Sequence, residues 1–182
     1  LPMNEIIATN RLDLIPLTPD FLRSTVAGKL ADAESMLKLK IHDEWMDCAD
    51  FAAIRLRDFE AGITSQPWMP RAIGLRSTGA MTGRIRFHSS PGPENLADLS
   101  PEGVELGYGI FVDHRQQGYA REAVSGLIKW AHDVHDIRSF IASVRPDNTP
   151  SFAIISKMGF RRIGSHIDHV DGYEGIFGLT VG

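Results

Sequence analysis

Several absences narrow this chain before any motif is read. It carries one cysteine, Cys48, in 182 residues. A single thiol forms no intramolecular disulfide and no thiolate metal set, which fits a reducing compartment. Positive charge is not in excess: 19 Lys and Arg stand against 23 Asp and Glu, for a net charge of -4. Nothing therefore draws the surface toward nucleic-acid phosphates or an anionic bilayer, and neither is expected as a partner. No apolar run approaches the roughly 20 residues that span a membrane. The opening LPMNEIIATN lacks the basic and apolar regions of a secretory leader, so a soluble, cytoplasmic protein is expected, with Met3 as its native start. Two nucleotide signatures are missing as well. No G-x-G-x-x-G with a later acidic residue follows the first strand, and no Gly-Lys-Ser/Thr marks a P-loop.

What is present is globular: 43% hydrophobic and 23% charged residues, in a length that suits one core and one domain over residues 1–182. Alternation from Arg11 to Leu17 predicts a first strand with Leu12, Leu14 and Pro16 on one face. Thr18-Pro19 then reads as an N-cap and first helical position, with Phe21, Leu22, Val26 and Leu30 as the apolar stripe. A short helix is expected over Ala31 to Leu39, interrupted near Gly28, and another after Asp50 as cap, ending near Gly62. Arg71 to Leu75 and Met81 to His88 form a hairpin across Ser77, Thr78 and Gly79. Ser89 to Gly103 is expected to be a surface loop beside the site. Strands at Val104–Val112 and Ser139–Arg145 alternate with helices at Gly118–His132 and Thr149–Met158. Two strands close the chain, from Phe160 and from Glu174, joined by a turn at Asp171-Gly172. The sum is an α/β (α+β) domain with a mixed sheet.

The most informative segment is Glu105 to Ala131, where an apolar strand runs into Arg115-Gln116-Gln117-Gly118-Tyr119-Ala120 and straight on into an amphipathic helix. Such a turn leaves backbone N–H groups unpaired at the positive end of the helix dipole, which makes a phosphate cradle. Glycine at 118 admits close approach of backbone to phosphate, and Arg121 adds charge. Some thirty residues on, Asn148-Thr149-Pro150-Ser151 opens a helix that closes at Lys157-Met158-Gly159-Phe160.

Together these two motifs resemble the cofactor segments of the GNAT superfamily of acyl-CoA-dependent N-acetyltransferases. Thr9-Asn10-Arg11-Leu12-Asp13-Leu14, Glu105-Leu106-Gly107-Tyr108 and Ala120-Arg121-Glu122-Ala123 resemble its RimJ/RimL-type branch. The resemblance implies a mostly antiparallel sheet splayed into a V, with helices on both faces. It implies acetyl-CoA as acetyl donor, with no metal. The pantetheine arm would lie along main-chain groups of Ile110, Phe111 and Val112, the pyrophosphate on Gln116, Gln117, Gly118, Tyr119, Ala120 and Arg121, and Asn148 would bond the pantetheine amides. A primary amine, from a protein N-terminus or a small molecule, would attack the thioester directly in a ternary complex. Glu105 is then the leading base and His88 the second, with water as the third route. Where the superfamily usually carries a thiolate-protonating tyrosine, this chain has Ile155; in the Rim-type branch a serine at the place of Ser151 takes that role. The missing tyrosine keeps a second reading open, a non-catalytic acyl-CoA-binding sensor or interaction module. A homodimer is common among such proteins, though nothing in the sequence specifies an interface.

Each residue also has an ordinary reading. Glu105 serves equally well as a strand carboxylate in an ion pair, and Ser151 as a first-turn helix residue. His166, Asp168, His169 and Asp171 would be scattered over two faces by strand alternation, which argues against a metal. Trp45, Trp68 and Phe51 read as core or pocket wall, Trp130 as core, and Arg55, Arg57 and Arg71 as solvated charges, one of which could meet an acidic substrate group. The acceptor would be selected by Lys40–Trp68, the Ser89–Gly103 loop and the last hairpin.

Overall fold

Thr18 shows how local chemistry sets the first boundary: its backbone is extended, its hydroxyl accepts the Phe21 N–H at 3.3 Å, and Pro19 begins the helix. The computed structural model describes residues 5–92 and 96–182, so the expected Met3 start and part of the Ser89–Gly103 loop, residues 93–95, lie outside the described residues. Helix α1 covers Pro19–Val26 and buries Phe21 and Leu22. Val26 does not extend that stripe, being 47% exposed, and Leu30 instead opens α2, Leu30–Leu37. The break comes at Gly28, where φ is +69° and a side chain would be strained. A one-turn helix α3, Asp43–Met46, was not legible in the sequence. It is too short to show a period; its purpose is to seat Trp45, fully buried, whose indole N–H donates to the Thr25 hydroxyl at 3.0 Å. Helix α4, Ala49–Glu60, has Cys48 at its N-cap, so Asp50 sits in the first turn rather than capping.

The strands are β1 Ile7–Ala8, β2 Leu12–Pro16, β3 Arg71–Leu75, β4 Ala80–Phe87, β5 Val104–Ile110, β6 Ser139–Val144, β7 Arg161–Asp168 and β8 Gly172–Thr180. They form one eight-stranded sheet in the order β1-β2-β3-β4-β5-β6-β8-β7. Every neighbouring pair is antiparallel except β5 and β6. Helices α5, Tyr119–His135, and α6, Thr149–Lys157, follow β5 and β6. The fold is thus a mixed, mostly antiparallel α/β domain.

Alternation divides the core between the two faces. Leu12, Leu14, Ile73, Ile85, Phe87, Val104 and Leu106 meet Ala123, Val124, Leu127 and Trp130 of α5 and Ile155 of α6 on one side. Leu17, Ala72, Met81 and Phe111 meet α1 to α4 on the other. Two expectations change here. Arg71 is no solvated charge: 2% exposed, it donates to the carbonyls of Glu5 and Leu14, and its guanidinium lies 4.7 Å from the Trp130 ring centre. Burial pulls its pKa down to about 10. The Ser89–Gly103 loop is anchored rather than superficial throughout, because Leu96 buries against Ile141 and Ile176, and Ser100 shares a hydrogen bond with Ser139 at 2.6 Å.

The feature that positions the site is a failure of pairing. Strands β5 and β6 share only two register pairs, Val104 with Phe140 and Glu105 with Ile141. On the other edge β5 stays paired with β4 as far as Ile110. The sheet therefore opens between β5 and β6, and Leu106 to Ile110 line one side of the opening.

Candidate active site

The loop at the mouth of the opening is shaped by two left-handed residues. Gln116 has φ +59° and Gly118 φ +80°, with Gln117 between them. A non-glycine residue held there costs on the order of 1–2 kcal/mol, so the surrounding structure must hold it. Among the described residues, the amides of Gln116 through Arg121 donate to no acceptor within the chain. They gather at the N-terminus of the 17-residue helix α5, a concave array suited to a diphosphate.

The loop is braced from the far end of the sheet. Arg11 donates through Nε to Glu122 at 2.7 Å and through Nη1 to the Gln117 carbonyl at 3.0 Å, and its guanidinium lies 4.7 Å from the Tyr119 ring centre. Glu122 also accepts from the Thr9 hydroxyl at 2.6 Å and from the Arg11 amide at 2.6 Å. Burial works against its charge, but these bonds prevail and hold its carboxyl below the ordinary value. The two outlying sequence motifs, Thr9–Leu14 and Ala120–Ala123, are thus one structural unit.

Of the three residues expected to line the opening with main chain, the structure distinguishes one. Alternation along the antiparallel β4–β5 pair turns the N–H and C=O of Leu106, Tyr108 and Ile110 away from β4, toward the opening. The Ile110 carbonyl accepts from Arg115 Nε at 3.0 Å. Phe111 is different: its N–H donates to the Thr82 carbonyl at 2.9 Å, and its buried ring stacks on His42. The strand stops at Ile110, and Val112 begins a 3-10 turn, Val112–His114, with its amide held by the Glu44 carboxylate at 2.7 Å. Gly107 and Gly109 leave the opposite face of β5 bare; a side chain at Gly109 would meet nothing within 4 Å.

Glu105 stands where β5 and β6 part. It is 5% exposed, accepts from the Ser143 hydroxyl at 2.6 Å, and lies 3.4 Å from His88 Nδ1. Burial raises its pKa, and the Ser143 hydrogen bond only partly opposes that. His88 is driven the other way, down to about 3, by burial and then by Arg86 and Arg55. It is therefore neutral at ordinary pH, and its contact with Glu105 is between an imidazole and a carboxyl group, not an ion pair. Of the two base candidates, Glu105 holds a proton more readily.

Across the opening, Asn148 is the N-cap of α6, its Oδ1 accepting the Ser151 N–H at 3.2 Å. That leaves the Asn148 amide nitrogen free to donate. Ser151 is half-buried. The Tyr108 hydroxyl, unassigned by sequence reasoning, reaches the Ser151 carbonyl at 3.5 Å from β5. Ile155 is fully buried in the core, in the same cluster as Leu106 of β5. His166 pairs with Glu174 at 3.1 Å, while Asp168 accepts the amides of Val170 and Asp171 in the terminal turn. The sequence named Glu105 but not its partner Ser143. Polar Ser139 and Ser143 alternating with apolar Phe140, Ala142 and Val144 was the available sign that they share a face.

A sheet opened between two parallel strands, with a ring of free amides at a helix start beside the gap, defines a fold that other proteins share. It is the fold of RimL, a ribosomal L7/L12 alpha-N-protein acetyltransferase solved with coenzyme A, to which this chain is 17% identical at a TM-score of 0.65 over 97% of this chain and 98% of that one. A family model for the acetyltransferase (GNAT) domain matches residues 11–161, and the chain belongs to that family. Among curated relatives, the N-acetyltransferase YnaD of Bacillus subtilis, itself uncharacterized, is 27% identical over 90 residues, which span 50% of this chain and 48% of YnaD. This chain thus matches about half of that relative's length. The uncharacterized N-acetyltransferase YoaA of the same organism is 25% identical over 170 residues, 89% of this chain and 86% of YoaA. No helix among the described residues is long and apolar enough to cross a membrane.

Proposed function

We propose that this protein transfers an acetyl group from acetyl-CoA to a primary amine, by direct attack in a ternary complex. The observation that carries this reading is the two-pair limit on β5–β6 pairing, which leaves strand-edge hydrogen-bonding groups free next to an amide-lined loop. Gln116, Gln117, Gly118, Tyr119, Ala120 and Arg121 would hold the pyrophosphate. Ile110, with Phe111 and Val112 as its flanks, would lie along the pantetheine arm, and Asn148 would donate to the pantetheine amides. No metal is invoked.

In the reaction the amine nitrogen forms a bond to the thioester carbon, the carbon–sulfur bond breaks, the ammonium proton passes to Glu105 directly or through water, and the thiolate takes a proton. Burial of Glu105, which raises its proton affinity, supports the base role. Ser151 is proposed as donor to the thiolate, supported by its place at the start of α6 beside Asn148. The likeness to RimL favours a protein N-terminal amine, and a small-molecule amine is the competitor. The test is release of free thiol from acetyl-CoA against a panel of N-terminal peptides and small amines. Amine-dependent release is expected. Tight CoA binding with no release for any amine would replace this reading with that of an acyl-CoA sensor.

A further inference from the structure

Helix α4 and strand β4 bring three arginines together on the face of the sheet that carries Glu105. The guanidinium carbons of Arg84, Arg86 and Arg55 lie 4.2, 5.5 and 5.8 Å from the centre of one ring, that of Phe51. Asp58 pairs with Arg55 at 3.0 Å. Among the described residues, Arg84 and Arg86 have no ion pair or hydrogen bond, and the Arg55 Nε is buried without a partner. Half-buried guanidinium groups placed this close repel one another, and proteins ordinarily satisfy such charges with a carboxylate or phosphate. The other groups facing Arg86 are Glu105 and Asp58, and Glu105 is already engaged by Ser143.

The cluster borders the proposed reaction centre. Gly107 is paired with Arg86 across β4–β5, and a side chain there would start 4.0 Å from Arg86 Nε and 2.9 Å from His88 Nε2. Glu105 sits two residues from Gly107 on the same face, roughly 7 Å along the strand. A group bound by Arg86 and Arg84 is therefore within a few bonds of an amine that loses its proton to Glu105. Resting on the acetyl-transfer reading, we infer that Arg55, Arg84 and Arg86 form the acceptor subsite, and that the acceptor is an amine carrying a carboxylate or phosphate a few bonds from its nitrogen. Guanidinium forks suit both anions because each offers paired oxygens in a plane. Phe51 holds the forks apart and gives the amine's carbon chain an apolar wall. This assigns a use to α4, part of the segment in which the sequence showed no motif.

The test compares acceptors matched except for charge: Ala-Asp amide with Ala-Asn amide, and O-phosphoethanolamine with ethanolamine. Thiol release should show kcat/KM at least about ten-fold higher for the anionic member of whichever set is used, which also separates a peptide from a small-molecule source. Arg86→Gln should remove that preference by raising KM for the anionic acceptor alone, leaving acetyl-CoA affinity unchanged, and Arg84→Gln provides the same test should the first variant fold poorly. Equal use of both members, or a preference that survives both substitutions, overturns the inference. A binding readout needs no turnover. With the protein saturated in CoA, so that the phosphate cradle is filled, O-phosphoethanolamine should bind at least ten-fold more tightly than ethanolamine, and Arg86→Gln should abolish the difference. Equal affinities overturn the subsite even if thiol release stands. Arg86-dependent binding with no release from any amine upholds the subsite and sinks the acetyl-transfer reading.

Discussion

Glu105 is a carboxyl group that folding makes reluctant to ionise, and two measurable consequences follow. Its pKa lies above the ordinary carboxylate value because burial outweighs the Ser143 hydrogen bond. If its carboxylate is the base, the acidic limb of the kcat/KM profile falls at a pH above the ordinary carboxylate range, and Glu105→Gln lowers the rate by about 10²–10⁴ with CoA affinity unchanged. An unchanged rate would transfer the role to His88 or to water. The stability effect has the opposite sign to that of a salt-bridged acid. A raised folded-state pKa contributes stability below the unfolded value, and this is lost as pH rises through the folded value. Glu105→Gln should therefore melt at a higher temperature than the wild type at neutral pH, and the two should converge below the ordinary carboxylate range. At this scale a motif gives the place of a residue in the fold, as at Gly118 before α5 and Asn148 at the N-cap of α6. The sequence is poorly legible where tertiary packing decides: nothing near Arg71 announces that a guanidinium will be buried against Trp130 and paired with carbonyls 57 and 66 residues away.

Among elements, the loop before α5 is the one whose shape depends most on a distant partner. Gln116 is held in a left-handed conformation, and the hydrogen bond from Arg11 to the Gln117 carbonyl fixes the next peptide. Arg11 is 43% exposed at its side chain, so its ion pair with Glu122 contributes little to global stability, no more than about 1 kcal/mol. Its effect should appear in binding: Arg11→Ala is expected to weaken CoA affinity roughly ten-fold through a loosened loop, with the melting temperature within a few degrees of wild type. Thermal shift and calorimetry on the same variant check both halves, and unchanged affinity would show that the loop holds its form without Arg11. Elements with a clear period or cap are legible in the sequence, as Thr18-Pro19 and the amphipathic helix after Gly118 illustrate. Helix α3 was not, since four residues carry no period. The stop of β5 at Ile110 was not legible either, because it is enforced by Glu44 taking the Val112 amide from another element.

On the scale of the whole molecule, one sheet with a core on each face carries both the loop before α5 and the Glu105 cluster. The free amides of 116–121 lie at the start of α5, and Glu105 stands where the pairing of β5 with β6 ends. The order of the longer strands and helices is legible in local pattern, but the swap that seats β8 between β6 and β7 is a long-range choice that local pattern does not encode. The central claim, that the free amides of this loop hold a diphosphate, is tested most directly by calorimetry with acetyl-CoA on the wild type and on Gly118→Asp. Aspartate tolerates the left-handed backbone at 118 better than most residues, so the strain there, about 1–2 kcal/mol, is small against the stability of the domain while a negative charge enters the loop. The account predicts one saturable site for the wild type and no binding to the variant, whose melting temperature falls by no more than a few degrees. Equal binding to both proteins, or no heat from the wild type at millimolar acetyl-CoA, would contradict it.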